Sequence, residues 1–295
     1  MISTQSFPRE PGLLGIVGNP ARSSLSPAMQ QAALRRLKLD ACYRAFEIAP
    51  DQVRTVLRAL PLLGFWGINV TIPYKEKVLP LLDEIDDEAS AIGAVNTIVV
   101  RGGRLLGYNT DAEGFRTALE VEGRTDLPGA RVLVVGAGGA ARAVAFACLA
   151  RGCRSLLIAN RSAARARSFC RALRVNFPAA DIDAVATGGP DWASRVGACG
   201  VVVNTTPLGG RPDDPLPVPP AALRRGQTVV DIVCCPRRTP LLIAASAAGA
   251  RTVDGLQMLL HQGALAFSLW TGREAPSTVM RRALSLAAAR AERRS

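Results

Sequence analysis

The stretch V-V-G-A-G-G-A-A-R-A, from Val134 to Ala143, links an apolar run to an alanine-rich segment through small residues. Gly136 and Gly138 occupy the first two positions of a glycine turn, and Ala141 occupies the third, where alanine is allowed. Glycine lets the chain turn tightly, and backbone N–H groups can then approach a pyrophosphate at the positive end of the next helix. A plain glycine-rich turn is the alternative, but the flanking strand and helix patterns favour a dinucleotide-binding turn.

A second segment, about twenty residues further on, bears on which dinucleotide binds. An NAD site usually offers Asp or Glu to the ribose hydroxyls there, whereas this chain has Asn160-Arg161-Ser162, with Arg165 one turn later. A guanidinium can hold the 2′-phosphate of NADP through paired charge-assisted hydrogen bonds. We therefore predict NADP as cofactor. The alternative is that Arg161 and Arg165 are ordinary surface arginines of a helix.

Apolar runs separated by turn residues extend on both sides of the glycine turn and predict two units of the same class. In the second unit, from about Asp111 onward, strands are predicted at 131–135, 155–159, 183–186, 201–204 and 229–233, with a helix at 162–176 and a proline-rich loop at 211–220. In the first unit, strands are predicted at 13–17, 42–48 and 67–72, with helices at 52–60 and after Ser26-Pro27, the expected N-cap and first-turn proline. The alternation predicts an α/β fold with mostly parallel sheets.

Composition limits the class of protein. A chain of 295 residues that is 48% hydrophobic can bury a substantial core. The seven cysteines are odd in number and irregularly spaced, which favours reduced thiols over a disulfide framework, and the single histidine, His261, offers no metal-ligand cluster. The start MISTQSFPREPG resembles no secretion signal, and apolar runs such as Leu241 to Ala250 are shorter than the ~20 residues of a spanning helix. We expect a cytoplasmic protein without metal.

The net charge of +12 raises the question of nucleic acid. The arginines are spread along the chain, aromatic residues are only 5%, and no nucleic-acid-binding module is recognised. The arginine-rich end, Arg281 to Arg294, is interpreted as the polar face of a terminal helix. Attraction of anionic small molecules is therefore a simpler explanation of the positive charge than nucleic-acid binding.

Another stretch, GINVTIPYKE from Gly67 to Glu76, carries a lysine in a chain whose basic residues are almost all arginine. Lysine occurs only at Lys38, Lys75 and Lys77, which leaves 36 minus 3, or 33, arginines. Lysine can transfer a proton when its surroundings lower its pKa, whereas arginine cannot. Hydride chemistry needs such a partner, so Lys75 and Asp111 are candidates. Taken singly, Lys75 can be a solvated lysine and Asp111 a helix N-cap.

Nine motifs stand in one order over nearly the whole chain: GNPARSSLSP, GINVTIPYKE, IGAVNT, GYNTDAEG, GAGGAARA, ANRS, NTTPLG, DIVCCPRRTPLL and DGLQMLLHQGALAFSLWTG. Together they resemble the shikimate dehydrogenase family, including its quinate/shikimate and aminoshikimate branches. The resemblance implies NADP-dependent interconversion of 3-dehydroshikimate and shikimate in aromatic biosynthesis. It also implies a substrate domain at 1–110, completed by helices within 256–295, and a Rossmann domain at 111–255.

The resemblance further implies the role of each matching residue. Ser24 and Ser26 would bind the substrate carboxylate, and Lys75 with Asp111 would form the catalytic pair, whose titration belongs to both groups. The remaining substrate contacts would come from Asn69, Thr71, Asn96, Cys234 and Gln262. The cofactor contacts would come from Gly136, Ala137, Gly138, Gly139, Ala140, Asn160, Arg161, Ser162, Arg165, Thr205, Ile232 and Gly255.

Three positions depart from the family pattern. Ser23 stands where a histidine usually precedes the first serine, Cys234 replaces the usual tyrosine, and Gly210 stands where methionine is frequent. A roomier cleft can accept quinate or another ring, although Ser24 and Ser26 favour shikimate. Tyr43, in CYRAFEI, is reminiscent of the quinate/shikimate branch.

A non-catalytic regulator that binds shikimate or NADP is the alternative class of function, although such a sensor does not need a proton donor. The sequence leaves the choice between monomer and homodimer open.

Overall fold

The computed structural model of the chain describes residues 11–293. The chain forms two compact units. The first takes the chain up to Thr110 and then Gln262–Ala287, and the second takes Asp111–His261 and the described residues from Ala288 onward. The first boundary between the two units lies before Asp111, at the position given in the sequence analysis. The chain returns to the first unit after His261, inside the helix Gly255–Thr271, rather than at residue 256. The expectation about a secretion signal rests on residues 1–12, of which 1–10 lie outside the described residues.

Strands and helices alternate along the chain. The strands are β1 (Gly12–Gly18), β2 (Ala41–Glu47), β3 (Phe65–Val70), β4 (Glu84–Ile85), β5 (Thr97–Arg101), β6 (Arg104–Tyr108), β7 (Arg131–Val135), β8 (Ser155–Asn160), β9 (Ile182–Ala186), β10 (Val201–Asn204), β11 (Thr228–Asp231) and β12 (Arg251–Val253). The helices are α1 (Ser26–Arg36), α2 (Val53–Ala59), α3 (Asp87–Ile92), α4 (Asp111–Thr117), α5 (Gly139–Ala150), α6 (Ala163–Asn176), α7 (Trp192–Gly197), α8 (Pro240–Ala247), α9 (Gly255–Thr271) and α10 (Ser277–Glu292). A π-helical segment, Ala118–Glu122, follows α4 directly.

The second unit contains a fully parallel six-stranded sheet in the order β12-β11-β10-β7-β8-β9. All residues of β10 and β11 are buried, as expected for strands covered by helices on both faces. The chain starts at the central β7, builds outward to β9, and then returns to build β10 to β12 on the other side. Ligands of such sheets bind at the carboxyl ends of the strands, where this reversal occurs.

The first unit contains a mixed six-stranded sheet in the order β2-β1-β3-β5-β6-β4. Strand β1 pairs in parallel with β2 and β3, and β4 pairs in parallel with β6, whereas β5 is antiparallel to both β3 and β6. The α/β class with two mostly parallel sheets is confirmed, but the β5–β6 hairpin was not predicted. Its turn uses Gly102 (φ 57°) and Gly103 (φ 75°), the conformation that a two-residue hairpin loop requires and that glycine adopts freely.

The predicted N-cap of the first helix is wrong by one residue. Ser26 is the first residue of α1, the N-cap is Leu25, and Pro27 lies in the first turn. The Ser24 side chain instead accepts a hydrogen bond from the Ser26 N–H, at 3.2 Å. The strand predicted at 67–72 also differs from β3, which ends at Val70. Pro73 follows shortly after, and a proline cannot donate a hydrogen bond to a neighbouring strand.

Both units bury tryptophan side chains. In the first unit, Trp270 is 1% exposed and its indole N–H donates to the Ile98 carbonyl at 2.9 Å. A Cβ on Gly67 would lie 2.2 Å from that indole nitrogen, so only glycine allows this packing. In the second unit, Trp192 is 5% exposed within the apolar cluster around β10 and β11. Among the helices of residues 11–293, none has the length and apolarity needed to cross a bilayer.

Candidate active site

The segment that follows β3 carries Lys75. Lys75 lies in a turn rather than in a surface helix, its carbonyl accepts from the Val95 N–H at 2.8 Å, and its side chain is partly buried. Lys38 and Lys77 are both exposed. The neighbouring Tyr74 is fully buried and donates to the Ile48 carbonyl at 2.6 Å. Lys75 is therefore the least solvated lysine of the chain and is held on an anchored turn.

The serine-bearing loop between β1 and α1 is fixed by a carboxylate from β2. Glu47 Oε2 accepts hydrogen bonds from the backbone N–H groups of Ala21 and Arg22, at 3.0 and 3.3 Å. These backbone hydrogen bonds lower the pKa of Glu47. Ser24, partly exposed, lies three residues after Ala21, and its N–H donates to the Ala21 carbonyl at 3.0 Å. The loop thus has a defined conformation in which Ser24 can meet an anionic group.

Ser26 and Asn69 lie on either side of Tyr43. The Tyr43 hydroxyl donates to Asn69 Oδ1 at 2.7 Å, and a side-chain hydrogen bond joins it to Ser26. Burial raises the pKa of Tyr43 well above its usual value, and the bond from Ser26 opposes this rise. The Asn69 amide nitrogen donates to the Asn96 carbonyl and to Thr97 Oγ1, both at 3.1 Å. Both N–H groups of Asn69 are therefore used, and its oxygen alone retains capacity to accept.

Asn96 and Gln262 belong to the same network, although they are distant in sequence. Asn96 Nδ2 donates to Thr110 Oγ1 at 2.9 Å and to Gln262 Oε1 at 3.2 Å. Asn96 Oδ1 accepts from the Thr110 N–H at 2.8 Å and from Thr97 Oγ1 at 3.0 Å. Both side chains are buried, at 2% and 7% exposure. A substrate hydroxyl that binds Asn96 would therefore have to exchange with one of these bonds.

Thr71 and Asp111 complete the predicted substrate and catalytic set. Thr71 is partly buried directly after β3, where its N–H donates to the Val17 carbonyl at 2.9 Å. Asp111 is 4% exposed and is the first residue of α4, where a carboxylate suits the positive end of a helix. Lys75 belongs to the first unit and Asp111 to the second. Their pairing remains a prediction.

The glycine turn lies between β7 and α5 in the second unit. Gly136 has φ 123°, and a Cβ there would lie 2.3 Å from Thr205 Oγ1, so glycine is required. A Cβ on Gly138 would meet no atom within 4 Å, which leaves open space beside the backbone. Gly138 is the N-cap of α5, so backbone N–H groups of Gly139 and Ala140 begin the helix. With Ala137 between the glycines, this turn fits a pyrophosphate at a helix N-terminus.

The end of β8 carries the predicted phosphate-binding arginines. Asn160 Oδ1 accepts from the Ser162 N–H at 3.4 Å, and Ser162 caps α6 by accepting from the Arg165 N–H at 3.3 Å. Arg161 and Arg165 are both exposed, on a loop and a first helical turn whose backbone is fixed by these bonds. The two guanidinium groups therefore suit an anion that arrives from solvent.

The remaining predicted cofactor residues lie near the ends of β10 and β11. Thr205 Oγ1 donates to the Val135 carbonyl at 2.7 Å, which holds it against the glycine turn. A Cβ on Gly255 would lie 2.6 Å from the Ile232 carbonyl oxygen, so the start of α9 packs directly on the loop after β11. In that loop, Cys234 Sγ lies 3.6 Å from the Ile232 carbonyl, and burial raises the pKa of the thiol to about 12. Cys234 is therefore a neutral thiol at ordinary pH.

Sequence reasoning gave no site role to several polar residues that organise both regions: Tyr43, Thr97 and Thr110 in the first unit, and Asn204, Asp231 and Thr239 in the second. Asn204 and Asp231 lie inside the motifs NTTPLG and DIVCCPRRTPLL, so motif position was an available signal. Thr97 and Thr110 also lie inside motifs, IGAVNT and GYNTDAEG, but the sequence does not show which residues pair, since Asn96 and Gln262 are 166 residues apart. Within residues 11–293, no group of His, Cys, Asp and Glu side chains has the arrangement of a metal site.

Comparisons with known proteins agree with the predicted resemblance. Three family models match: the shikimate dehydrogenase substrate binding domain over residues 16–98, shikimate / quinate 5-dehydrogenase over 118–187, and the shikimate 5'-dehydrogenase C-terminal domain over 255–284. The shikimate dehydrogenase (NADP(+)) of Moorella thermoacetica is 46% identical over 275 residues, which cover 92% of each chain.

Solved structures agree in fold over the same length. Shikimate 5-dehydrogenase from Thermus thermophilus, in complex with NADP(H) and shikimate, is 37% identical with a TM-score of 0.83, covering 94% of this chain and 99% of that one. Quinate dehydrogenase from Corynebacterium glutamicum, in complex with NAD, is 34% identical with a TM-score of 0.85, covering 93% and 99%. Identity of this extent over nearly the full length shows that the chain belongs to the shikimate dehydrogenase family.

Proposed function

We propose that this chain is an NADP-dependent oxidoreductase that interconverts 3-dehydroshikimate and shikimate. The observation that carries the proposal is the 46% identity to a shikimate dehydrogenase (NADP(+)) across 92% of both chains. The reaction acts on a CH–OH group and belongs to the biosynthesis of aromatic compounds. The chain also contains the glycine turn, the serine-bearing loop and the TIPYKE segment on which the resemblance rests.

The cofactor is assigned to the second unit. The open backbone at Gly138 and the start of α5 suit its pyrophosphate, and the exposed Arg161 and Arg165 suit a 2′-phosphate. When bound, NADP(H) supplies or accepts the hydride. Thr205, Ile232 and Gly255 are proposed to border the nicotinamide end, because they lie at or after the carboxyl ends of β10 to β12.

The substrate is assigned to the first unit. Ser24 lies on the anchored loop and is proposed to bind the carboxylate, with Ser26 contributing when its hydroxyl leaves Tyr43. Asn69 has only acceptor capacity left, so it suits a ring substituent that donates a proton, such as a hydroxyl. Thr71, Asn96, Gln262 and Cys234 are the further proposed contacts.

Lys75 and Asp111 are proposed as the catalytic pair. During reduction, negative charge develops on the substrate carbonyl oxygen, and the Lys75 ammonium can stabilise that charge and donate the proton. In the reverse direction, the Lys75 amine accepts the hydroxyl proton. Asp111 is proposed to orient the ammonium. Their proximity in the closed enzyme is part of this proposal.

Lysine substitutions test the assignment. Lys75→Ala should reduce kcat by ~10²–10⁴, the usual contribution of a general acid, and should leave the dissociation constant of NADP+ unchanged. Lys77→Ala is the matched control, because Lys77 is exposed and two residues away, and it should retain wild-type turnover. Turnover is followed at the absorbance of NADPH, and binding by calorimetry. A fully active Lys75→Ala enzyme would exclude the assignment.

Quinate is the second candidate substrate. It is favoured by the small Cys234 at the position usually held by tyrosine and by the likeness to a quinate dehydrogenase at 34% identity. Turnover with shikimate or quinate, each with NADP or NAD, separates these possibilities. Stabilisation of the protein by shikimate and NADP+ without turnover would instead favour a non-catalytic regulator, as the altered Ser23 and Cys234 allow.

The remaining assignments concern partners and location. We propose small-molecule ligands only, without nucleic acid or membrane, because the arginines are dispersed rather than clustered in one recognised module. A monomer or homodimer in the cytoplasm is proposed, and the seven free cysteines are compatible with a reducing compartment. Light scattering during gel filtration measures the oligomeric state.

A further inference from the structure

A buried carboxylate joins three separate segments of the second unit. Asp231, at the end of β11, is 0% exposed. Its Oδ1 accepts from Asn204 Nδ2 at 2.9 Å and from the Val233 N–H at 3.1 Å, and its Oδ2 accepts from Thr239 Oγ1 at 2.7 Å. Asn204 ends β10, and Thr239 is the N-cap of α8. One side chain therefore connects the ends of two neighbouring strands and the start of a helix.

The partners of this carboxylate are unusual because they are neutral. A buried carboxylate is normally paired with a cation or a metal, since its desolvation is costly. Here the groups facing it are the amide of Asn204 from β10, the hydroxyl of Thr239 from α8 and the N–H of Val233. Among the described residues, the titratable group that it influences is the Cys234 thiol, whose pKa of about 12 keeps it neutral. A residue that costs stability in this way suits a functional role.

The network continues from Asp231 to the glycine turn. Asn204 Nδ2 also donates to the Leu208 carbonyl at 3.0 Å, and Asn204 Oδ1 accepts from the Thr206 N–H at 3.1 Å and from Thr206 Oγ1 at 2.7 Å. These bonds fold the loop after β10 around the Asn204 side chain. Thr205 lies inside that loop and is held against Gly136 of the turn. Asp231 thus binds the Asn204 amide around which this loop folds, while Thr205 itself is held by its hydrogen bonds to the Val135 carbonyl.

We propose that Asp231 is a positioning residue for the cofactor. Its carboxylate holds the loop after β10 and the loop after β11 in the conformation that borders the nicotinamide end of NADP(H). This inference rests on the proposed function, because it requires that the second unit binds NADP(H). Asp231 acts through Asn204, Val233 and Thr239 and does not itself transfer a proton to substrate.

Direct binding measurements test the inference separately from turnover. Asp231→Ala should raise the dissociation constant of NADP+, measured by calorimetry, at least tenfold. The KM for shikimate at saturating NADP+ should stay within twofold of the wild-type value. Asp183→Asn is the matched control, because Asp183 lies on β9 of the same sheet with its side chain largely exposed, and it should bind NADP+ as the wild type does. A folded Asp231→Ala protein with wild-type affinity for NADP+ would overturn the inference.

Asp231→Asn is the second variant, and it decides the outcome if Asp231→Ala does not fold. Burial raises the pKa of Asp231 to about 6, so the wild-type side chain is a carboxylate at pH 8 and a neutral acid at pH 5. The ratio of the NADP+ dissociation constants of Asp231→Asn and wild type should be about threefold or more at pH 8 and should approach 1 at pH 5. Because the NADP+ phosphate titrates equally with both proteins, its effect on the two dissociation constants is removed from their ratio. A ratio that is constant with pH, or equal to 1 throughout, would overturn the inference, whereas a wild-type protein that binds no NADP+ would instead overturn the proposed function.

Discussion

Each unit places a buried polar network next to its predicted ligand residues, and the two networks differ in charge. The first joins Tyr43, Asn69, Asn96, Thr97, Thr110 and Gln262, and every member is neutral at ordinary pH. The second joins Asn204, Asp231 and Thr239 and includes a carboxylate with a pKa of about 6. The first should therefore keep its structure over a wide pH range, whereas the second should respond to pH near neutrality.

This difference has a physical consequence for stability. A neutral network of matched donors and acceptors stabilises the fold modestly and becomes costly only when one member is removed. A buried carboxylate without a cation instead costs stability whenever it is ionised. Adding a charge to the first network and removing the charge from the second therefore test this difference most directly, and a smaller substitution tests one hydroxyl group of the first network.

The largest effect is expected when a charge is introduced into the neutral network. Asn96→Asp removes the two donors to Thr110 and Gln262 and buries a carboxylate at a position that is 2% exposed. The free energy of unfolding at pH 8 should fall by about 4 kcal/mol, because two acceptors lose their donor and a charge is desolvated. Urea denaturation at pH 5 and pH 8 measures this, and the loss should be smaller at pH 5. Equal loss at both pH values would mean that the introduced charge is not responsible.

The second effect has the opposite sign and removes the charge from the other network. The pKa of Asp231 is about 6 in the folded state and 3.8 in the reference state, so the folded protein binds more protons between these values. The wild type should therefore lose stability as pH rises from 4 to 7, by about 3 kcal/mol for this group. Asp231→Asn should lack this loss.

The measurement is the difference in unfolding free energy between the two proteins at each pH, since other carboxylates contribute equally to both. The difference should favour Asp231→Asn progressively above pH 4 and level off above pH 7. A variant that is stabilised at pH 7 but binds NADP+ less well would show that the charge serves binding at the expense of stability. A difference that does not change with pH would contradict the raised pKa.

The smallest effect concerns one hydroxyl group of the neutral network. Tyr43→Phe leaves Asn69 Oδ1 buried without its donor, removes the hydrogen bond with Ser26, and should cost about 1–2 kcal/mol, independently of pH. Tyr74→Phe is the matched control for stability, because Tyr74 is equally buried and also donates a single bond, to Ile48. Only Tyr43→Phe should raise the KM for shikimate, since Tyr43 contacts the two proposed ligands Ser26 and Asn69. A KM that rises equally in both variants would show that the effect is a general loss of packing.

The sequence predicted the parts of the fold that depend on local pattern. The strands at 131–135 and 201–204 match β7 and β10 in both bounds, because buried parallel strands are continuous apolar runs that end at a glycine or polar residue. The β5–β6 hairpin was missed, although Gly102-Gly103 is a strong turn signal. A serine before an apolar run usually predicts an N-cap, but Ser26 is the first residue of α1, and the Ser24 side chain binds its N–H instead.

Residue pattern alone predicted only the part of the candidate site that lies within one motif, and the remaining ligand residues came from the family resemblance. The glycine turn needs residues that are adjacent in sequence, so Gly136 and Gly138 identified it. The networks depend on pairs such as Asn96 with Gln262 and Asn204 with Asp231, which meet only after the sheets have formed. An amide side chain can both donate and accept hydrogen bonds, so the sequence does not show which it does. The acceptor role of Asn69 is therefore visible only in the coordinates.

The distribution of the three tryptophans has a practical use. Trp66 and Trp270 lie in the first unit, against β1 and β5, and Trp192 lies in the apolar cluster of the second. A protein with phenylalanine at positions 66 and 270 would emit from Trp192 alone, and one with phenylalanine at 192 would emit from the other pair. Fluorescence of the two proteins would then follow the melting of each half independently, and would show whether they unfold in one cooperative step.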